Sequence, residues 1–270
     1  MASSSEARLA QFGELEPLWN KLQDSVRWPM IPPLANRDAP KGMQLRAILG
    51  AEASEIGLVQ ELFATIFPHL AHYEPFLAMY AEPFSRSHPA TLDHLWLIEQ
   101  HGKPIGVRMF SYLYRRNFGH GAFIGIDQRA RGTGIGRWLV QATHQQLALD
   151  ALYSGNEAVL GYSAEVTRVE DAQHELERQE REARLRFHLN NGAVLLPVEY
   201  IEPPVIKNSD DQAARQLTIA PQPMHLVFYP SQPSALNLAT IQTIVEAIYH
   251  DVYYLESDNP FVQHALASLR

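Results

Sequence analysis

Phe123-Ile124-Gly125-Ile126, then Asp127-Gln128-Arg129-Ala130-Arg131-Gly132-Thr133-Gly134-Ile135-Gly136, then RWLVQATHQQ to Gln146, is the stretch that decides the fold. FIGI reads as a short apolar strand, the three glycines as a turn, and the amphipathic residues beyond as a helix that starts where the glycines end. Glycine lacks a Cβ, so the backbone there can curl until consecutive N–H groups share one concavity, and a helix N-terminus adds the positive end of its dipole. The expected guest carries phosphates. A Walker loop is excluded, because no Lys-Ser/Thr pair follows the glycines. A dinucleotide fingerprint fits badly: counting from Gly132 puts Arg137 at the third glycine position, and counting from Gly134 puts Leu139 there.

Composition narrows the class. The 270-residue chain is long enough for one large domain with extensions or for two small ones, and 46% apolar residues suffice for a core. With no cysteine there is no disulfide framework, thiolate metal site or cysteine nucleophile. No N-terminal stretch reads as a signal peptide and no apolar run has the length of a membrane span, so the expectation is a cytoplasmic protein without a membrane partner. A formal net charge of −8 argues against a nucleic-acid partner and suits a cationic substrate.

Outward from the glycines the chain reads as a core between two extensions. Residues 1–42 place Leu9, Phe12, Leu15, Leu18 and Leu22 at near-helical spacing, and Trp28-Pro29-Met30-Ile31-Pro32-Pro33 then breaks any helix; this segment is expected to wrap on the core. MQLRAILG from Met43 is the first expected strand, and Ser54 stands as an N-cap before a helix carrying Ile56, Val59, Leu62, Phe63, Ile66 and Phe67 on one face. Residues 68–90 mix Pro68, Pro75, Pro83 and Pro89 with Tyr73, Phe76, Tyr80 and Phe84, which suits either the wall of a substrate pocket or a second core helix with a loop. HLWLIEQ and PIGVRMFSYLY form a hairpin about His101-Gly102-Lys103-Pro104, and a second turn through Phe118-Gly119-His120-Gly121 feeds the glycine stretch. Residues 158–166 read as a strand, a charge-dense stretch through Glu182 leads into the helix ARLRFHLNNGA stopped at Gly192, and VLLPVEYI and MHLVFYP are two further strands. Past Pro230, Ile241, Ile244, Val245, Ile248 and Val252 share a helical face enlarged by Tyr249, Tyr253 and Tyr254, suited to cover the core, to form a dimer contact or to close over a channel.

Arg131-Gly132-Thr133-Gly134-Ile135-Gly136 matches R/Q-x-x-G-x-G/A, with an overlapping match from Arg129. It resembles the acyl-CoA pyrophosphate loop of the GNAT superfamily of N-acetyltransferases, and the order of elements around it is the GNAT order. A second anchor is Ala183 to Ala193, ARLRFHLNNGA, which is similar to the A-x-x-[FL]-Y-x-x-x-G-F helix of that superfamily: Phe187-His188 and Gly192 align, His188 stands where many members keep a Tyr, and Ala193 replaces the usual Phe. The likeness is to bacterial members with N- and C-terminal extensions.

The resemblance implies an α/β fold of the α+β type, with a mixed central sheet of about six to seven strands flanked by helices. It divides the chain into an extension over residues 1–42, a catalytic domain over 43–230 and a helical extension over 231–270. It implies acetyl-CoA as co-substrate, held by Ile126, Arg129, Arg131, Gly132, Thr133, Gly134, Ile135, Gly136 and Arg137, with direct attack by a primary amine of a small molecule or peptide and no metal. His188 is the candidate acid for the departing thiolate, its unperturbed pKa of about 6.5 lying near working pH. Glu165 is the first candidate base and His120 the alternative; Tyr162, Tyr73 and Tyr112 are candidate substrate contacts, with Ser163 the alternating neighbour of Tyr162. A monomer or homodimer is expected. A GNAT-shaped protein that holds acyl-CoA without turning it over is the competing reading.

Overall fold

The computed structural model describes residues 30–50, 54–82, 90–204, 220–232 and 236–269. The expectations made for residues 1–29 and for Pro83, Phe84 and Pro89 lie outside the described residues. The chain divides into two compact units at Tyr162/Ser163, inside a strand. Among the described residues no helix is long and apolar enough to cross a membrane.

In the first unit, a short helix α1 (Pro33–Arg37) precedes β1 (Met43–Ala47), α2 (Ile56–Ile66), a 3-10 segment (Pro68–Phe76) and a one-turn α3 (Leu77–Tyr80). Then come β2 (Thr91–Gln100), β3 (Lys103–Leu113), β4 (Phe118–Ile126) and the long helix α4 (Ile135–Tyr153). The strands pair in sequence order, all antiparallel. Leu95, Leu97, Val107 and Met109 from one sheet face pack with Ile56, Val59 and Phe63 of α2 and with Leu77 and Ala81, all buried. This is the period-2 strand pattern meeting the 3.6-residue helix pattern, and truncating a fully buried Phe63 would cost about 3–5 kcal/mol. The start of the described chain is pinned to this unit: Asn36 accepts from the Leu45 N–H at 2.7 Å and donates to the Leu45 carbonyl at 3.0 Å.

Three local expectations are corrected. Ser54 does not cap α2; Glu55 holds that place without a side-chain cap bond, and Ser54 Oγ donates to the Glu55 carboxylate at 3.0 Å. The hairpin turn is only His101-Gly102, at φ 51° and 73°, because two left-handed residues match the twist of the flanking strands. The second turn lies before Phe118, with Asn117 at φ 54°, so Phe118-Gly119-His120-Gly121 belong to β4 itself.

The second unit holds β5 (Gly161–Thr167) from Ser163 onward, α5 (Glu175–Asn190), β6 (Val194–Leu195), β7 (Tyr200–Glu202), β8 (Gln222–Pro230), α6 (Leu238–Ala247), a π-type turn (Ile248–Val252) and α7 (Pro260–Ser268). β8 is bordered by β5 and β6, and β7 also pairs with it. The expected strand VLLPVEYI is two short strands: the ladder ends with the Leu196 N–H bonded to the Leu226 carbonyl at 2.9 Å, and Pro197 has no N–H to continue it. Among the described residues there are eight strands, where about six to seven were expected. The charge-dense stretch before Glu182 is the first half of α5, braced by pairs such as Arg181–Glu177 at 2.6 Å. Ile241, Ile244, Val245 and Ile248 are buried, while the π-type turn carries Val252 out to partial exposure.

Candidate functional site

The glycine loop forms as β4 ends at Ile126. Asp127 binds Arg129 three times, through the backbone N–H at 2.9 Å, Nε at 3.0 Å and Nη2 at 2.6 Å. These bonds hold the Asp127 carboxyl down at about 2. Arg131 Nε donates back to the Ile126 carbonyl at 3.1 Å, and Thr133 Oγ1 to the Ala130 carbonyl at 2.9 Å. Gly132 and Gly134 sit at φ 79° and 84°, left-handed conformations that an L side chain enters at a cost of roughly 1–2 kcal/mol. A Cβ at either would meet nothing within 4 Å, so the space beside both is open. The first hydrogen bond of α4 runs from the Trp138 N–H to the Gly134 carbonyl at 3.2 Å, and the amides from Gly132 to Arg137 have no backbone acceptor among the described residues. This row of donors, ahead of a 19-residue helix, is suited to a diphosphate. Arg137 is exposed beside it, whereas Arg129 and Arg131 already serve loop groups.

One strand back, β4 carries a bulge. Met109 pairs with Phe123 but Phe110 with Gly121, so Ala122 is an extra residue in β4. An extra residue leaves the ladder locally unpaired and re-aims the backbone. Beside the shift, Arg108 is 3% exposed; Nη1 donates to the Met109 carbonyl at 3.0 Å and the Phe123 carbonyl at 3.2 Å, and Nε to Thr143 Oγ1 at 3.1 Å. Its guanidinium carbon lies 5.1 Å from the Phe110 ring centre and 5.7 Å from that of Tyr162. Burial, with Arg108 adding repulsion, pushes both His120 and His144 down to about 4, so each is neutral at physiological pH.

The remaining candidates separate. Tyr73 is half-buried and packs edge-on to Phe123 at 5.1 Å. Tyr112 is fully buried, its hydroxyl donating to Asn117 at 2.9 Å and accepting from Asn156 at 3.0 Å, and burial pushes it up to about 12. Tyr162 is 3% exposed, with His144 edge-on at 4.9 Å, and Ser163 is buried too. In the second unit, Glu165 accepts from the Tyr200 hydroxyl and, at 2.9 Å, from the Tyr253 hydroxyl. Burial first, and the neighbouring Glu202 second, push its carboxyl up to about 8 against those two donors. His188 is the one buried residue of α5, its Nδ1 hydrogen-bonded to the Tyr229 hydroxyl at 2.7 Å. Sequence reading missed Arg108, the bulge, and the tyrosines on Glu165 and His188. The only advance signal was Arg108 itself, a lone charge inside the apolar run PIGVRMFSYLY.

Residues 58–154 match the sequence model of the acetyltransferase (GNAT) family. The match runs from within α2 to the end of α4 and contains the whole glycine loop, and the described residues form eight strands with flanking helices. The general chemistry of that family is acyl transfer. No curated protein matches the sequence. Similar solved structures include a candidate GNAT-family acetyltransferase from Bacteroides thetaiotaomicron, 18% identical over 79% of this chain and 99% of that one, with a TM-score of 0.46. Others are a GNAT family acetyltransferase from Elizabethkingia anophelis with acetyl-CoA bound (11% identity, 71% and 99% covered, TM-score 0.42) and PaiA N-acetyltransferase from Thermoplasma acidophilum in complex with coenzyme A (11%, 70% and 98%, TM-score 0.43).

Proposed function

We propose that the protein is an N-acetyltransferase that moves the acetyl group of acetyl-CoA to a primary amine of a small molecule or peptide. The observation that carries this reading is the row of amides from Gly132 to Arg137, free of backbone acceptors and flanked by the open space at Gly132 and Gly134. A diphosphate needs many short donors in one place, and backbone N–H groups at a helix start supply them without the desolvation cost of a buried cation. From Ala122 to Ile126, β4 covers about 13 Å at ~3.3 Å per residue, an extended stretch along which a pantetheine arm can lie. The bulged backbone at Ala122 offers an N–H to the thioester oxygen, where negative charge grows as the amine attacks.

In the reaction the amine nitrogen forms the C–N bond, the C–S bond breaks, the amine gives up a proton to a base, and the CoA thiolate takes one from an acid. His120 stands in its base form at neutral pH, whereas Glu165 gains its base form only as the pH rises through about 8. The resemblance supports His188 as the acid, and its Nδ1 is held by a hydrogen bond with the Tyr229 hydroxyl at 2.7 Å, which orients the ring. The test is a panel of amines offered with acetyl-CoA, reading free thiol and the mass of the acetylated product. Amine-dependent thiol release with a matching product supports the reading; CoA binding with no release on any amine replaces it with an acyl-CoA-binding regulatory protein.

A further inference from the structure

We propose that Arg108 is a positioning residue that clamps the β4 bulge to the helix bearing the phosphate cradle, and so aims the backbone at Ala122 toward the thioester. This rests on the acyltransfer reading above. The two carbonyls that Arg108 Nη1 reaches, Met109 and Phe123, belong to the last pair in register before the shift. A bulge disturbs the ladder at this point, and the guanidinium supplies donors where strand-to-strand bonding is displaced. Its Nε is anchored on Thr143, whose hydroxyl in turn donates to the Leu139 carbonyl at 2.8 Å; both residues lie on α4. One planar cation therefore links the strand that would polarise the acyl carbonyl to the helix whose N-terminus would hold the diphosphate.

Simple packing does not explain the choice of residue. Placing a guanidinium at 3% exposure costs several kcal/mol of lost hydration, and methionine would fill similar volume without that cost. What methionine lacks is a rigid fork able to reach Thr143 and two carbonyls together, and lysine, with a single point of charge, lacks it too. The Phe110 and Tyr162 rings restrict the guanidinium further.

Arg108→Lys and Thr143→Val test this in the full chain. Each is measured for CoA affinity by calorimetry, for kcat and KM with an amine found in the panel, and for the infrared stretch of the isotope-labelled thioester carbonyl of bound acetyl-CoA. In Arg108→Lys the expected result is unchanged CoA affinity, kcat lower by about 10²-fold, the scale of one lost oxyanion donor, and a carbonyl stretch returned toward the value in free acetyl-CoA. Thr143→Val shifts kcat and the stretch the same way by less, and it decides the matter should Arg108→Lys fail to fold. A carbonyl stretch left at the wild-type value in the folded variants overturns the clamp, as does a loss of CoA affinity in proportion to kcat, which marks general packing. A wild-type protein that binds no acetyl-CoA overturns the acyltransfer reading and the clamp with it.

Discussion

Gly134→Val strikes the cradle at the residue that caps α4 in a left-handed conformation, φ 84°. Its Cβ would meet nothing within 4 Å, so the cost to the empty protein is backbone strain, roughly 1–2 kcal/mol. At ~2–4 °C per kcal/mol for a chain of this size, the melting temperature should fall by about 2–8 °C. The cost to binding is larger and separate. The branched side chain occupies space a diphosphate must enter, and losing two charge-assisted hydrogen bonds at about 1.5–3 kcal/mol each removes about 3–6 kcal/mol, or 10²- to 10⁴-fold in CoA affinity.

Gly155→Val is the matched control. Gly155 lies just beyond the other end of α4, at φ 87° and with equally open surroundings, so it carries the same strain without touching the cradle. Calorimetric titration with CoA and thermal melts on both variants separate the two terms. The expected pattern is similar melting losses with CoA affinity lost only in Gly134→Val. Wild-type CoA affinity in a folded Gly134→Val, or an equal loss in Gly155→Val, would refute the cradle.

His188→Ala should lower kcat by about 10²- to 10⁴-fold while leaving CoA affinity intact, as expected for loss of a general acid; turnover equal to wild type across the pH range removes His188 from that role. Asn36→Ala takes the acceptor from the buried Leu45 N–H and the donor from its carbonyl, and should destabilise the protein by about 1–3 kcal/mol in denaturant titration with CoA affinity unchanged.

The glycine loop and its helix were legible because their signals are local: glycines where the backbone turns left-handed, then apolar residues at 3.6-residue spacing. The same cue misled at Phe118-Gly119-His120-Gly121. There the glycine serves close packing inside a strand, a Cβ on Gly119 falling 2.5 Å from a Leu147 methyl, while the turn is made by Asn117. The bulge at Ala122 was out of reach because register is a property of two strands together. The partners of the candidate acid and base were hidden by separation, His188 and Tyr229 being 41 residues apart and Glu165 and Tyr253 88. Arg108 stood in plain view, but only its neighbours in space give it a meaning.

The two candidate bases are displaced in opposite directions, and that makes them separable by pH. His120, held at about 4 by burial and Arg108, is already neutral from pH 5 upward, so a rate that depends on it has no rise of its own across the neutral range. Glu165, held up at about 8, is mostly protonated at pH 7, and a rate that depends on its carboxylate rises through that value. The acceptor amine also loses its proton as pH rises, so the wild-type profile alone does not discriminate; the comparison with Glu165→Gln does, because the amine's contribution persists in the variant. If Glu165 is the base, the variant loses most of kcat and the rise near 8 together. If His120 is the base, the Glu165→Gln profile keeps the wild-type shape. The same carboxyl has a stability signature. Its folded pKa lies above the unfolded value of about 4.3, so the folded form binds the proton more tightly. The stabilisation this brings is complete below the unfolded value and is lost as pH rises through about 8. Melting temperatures at pH 5, 7 and 9 should therefore decline in the wild type and decline less in Glu165→Gln. A wild-type curve with no such decline would mean that Tyr200 and Tyr253 hold Glu165 as a carboxylate throughout, and a carboxylate already present at neutral pH would be available as base without the rise near 8.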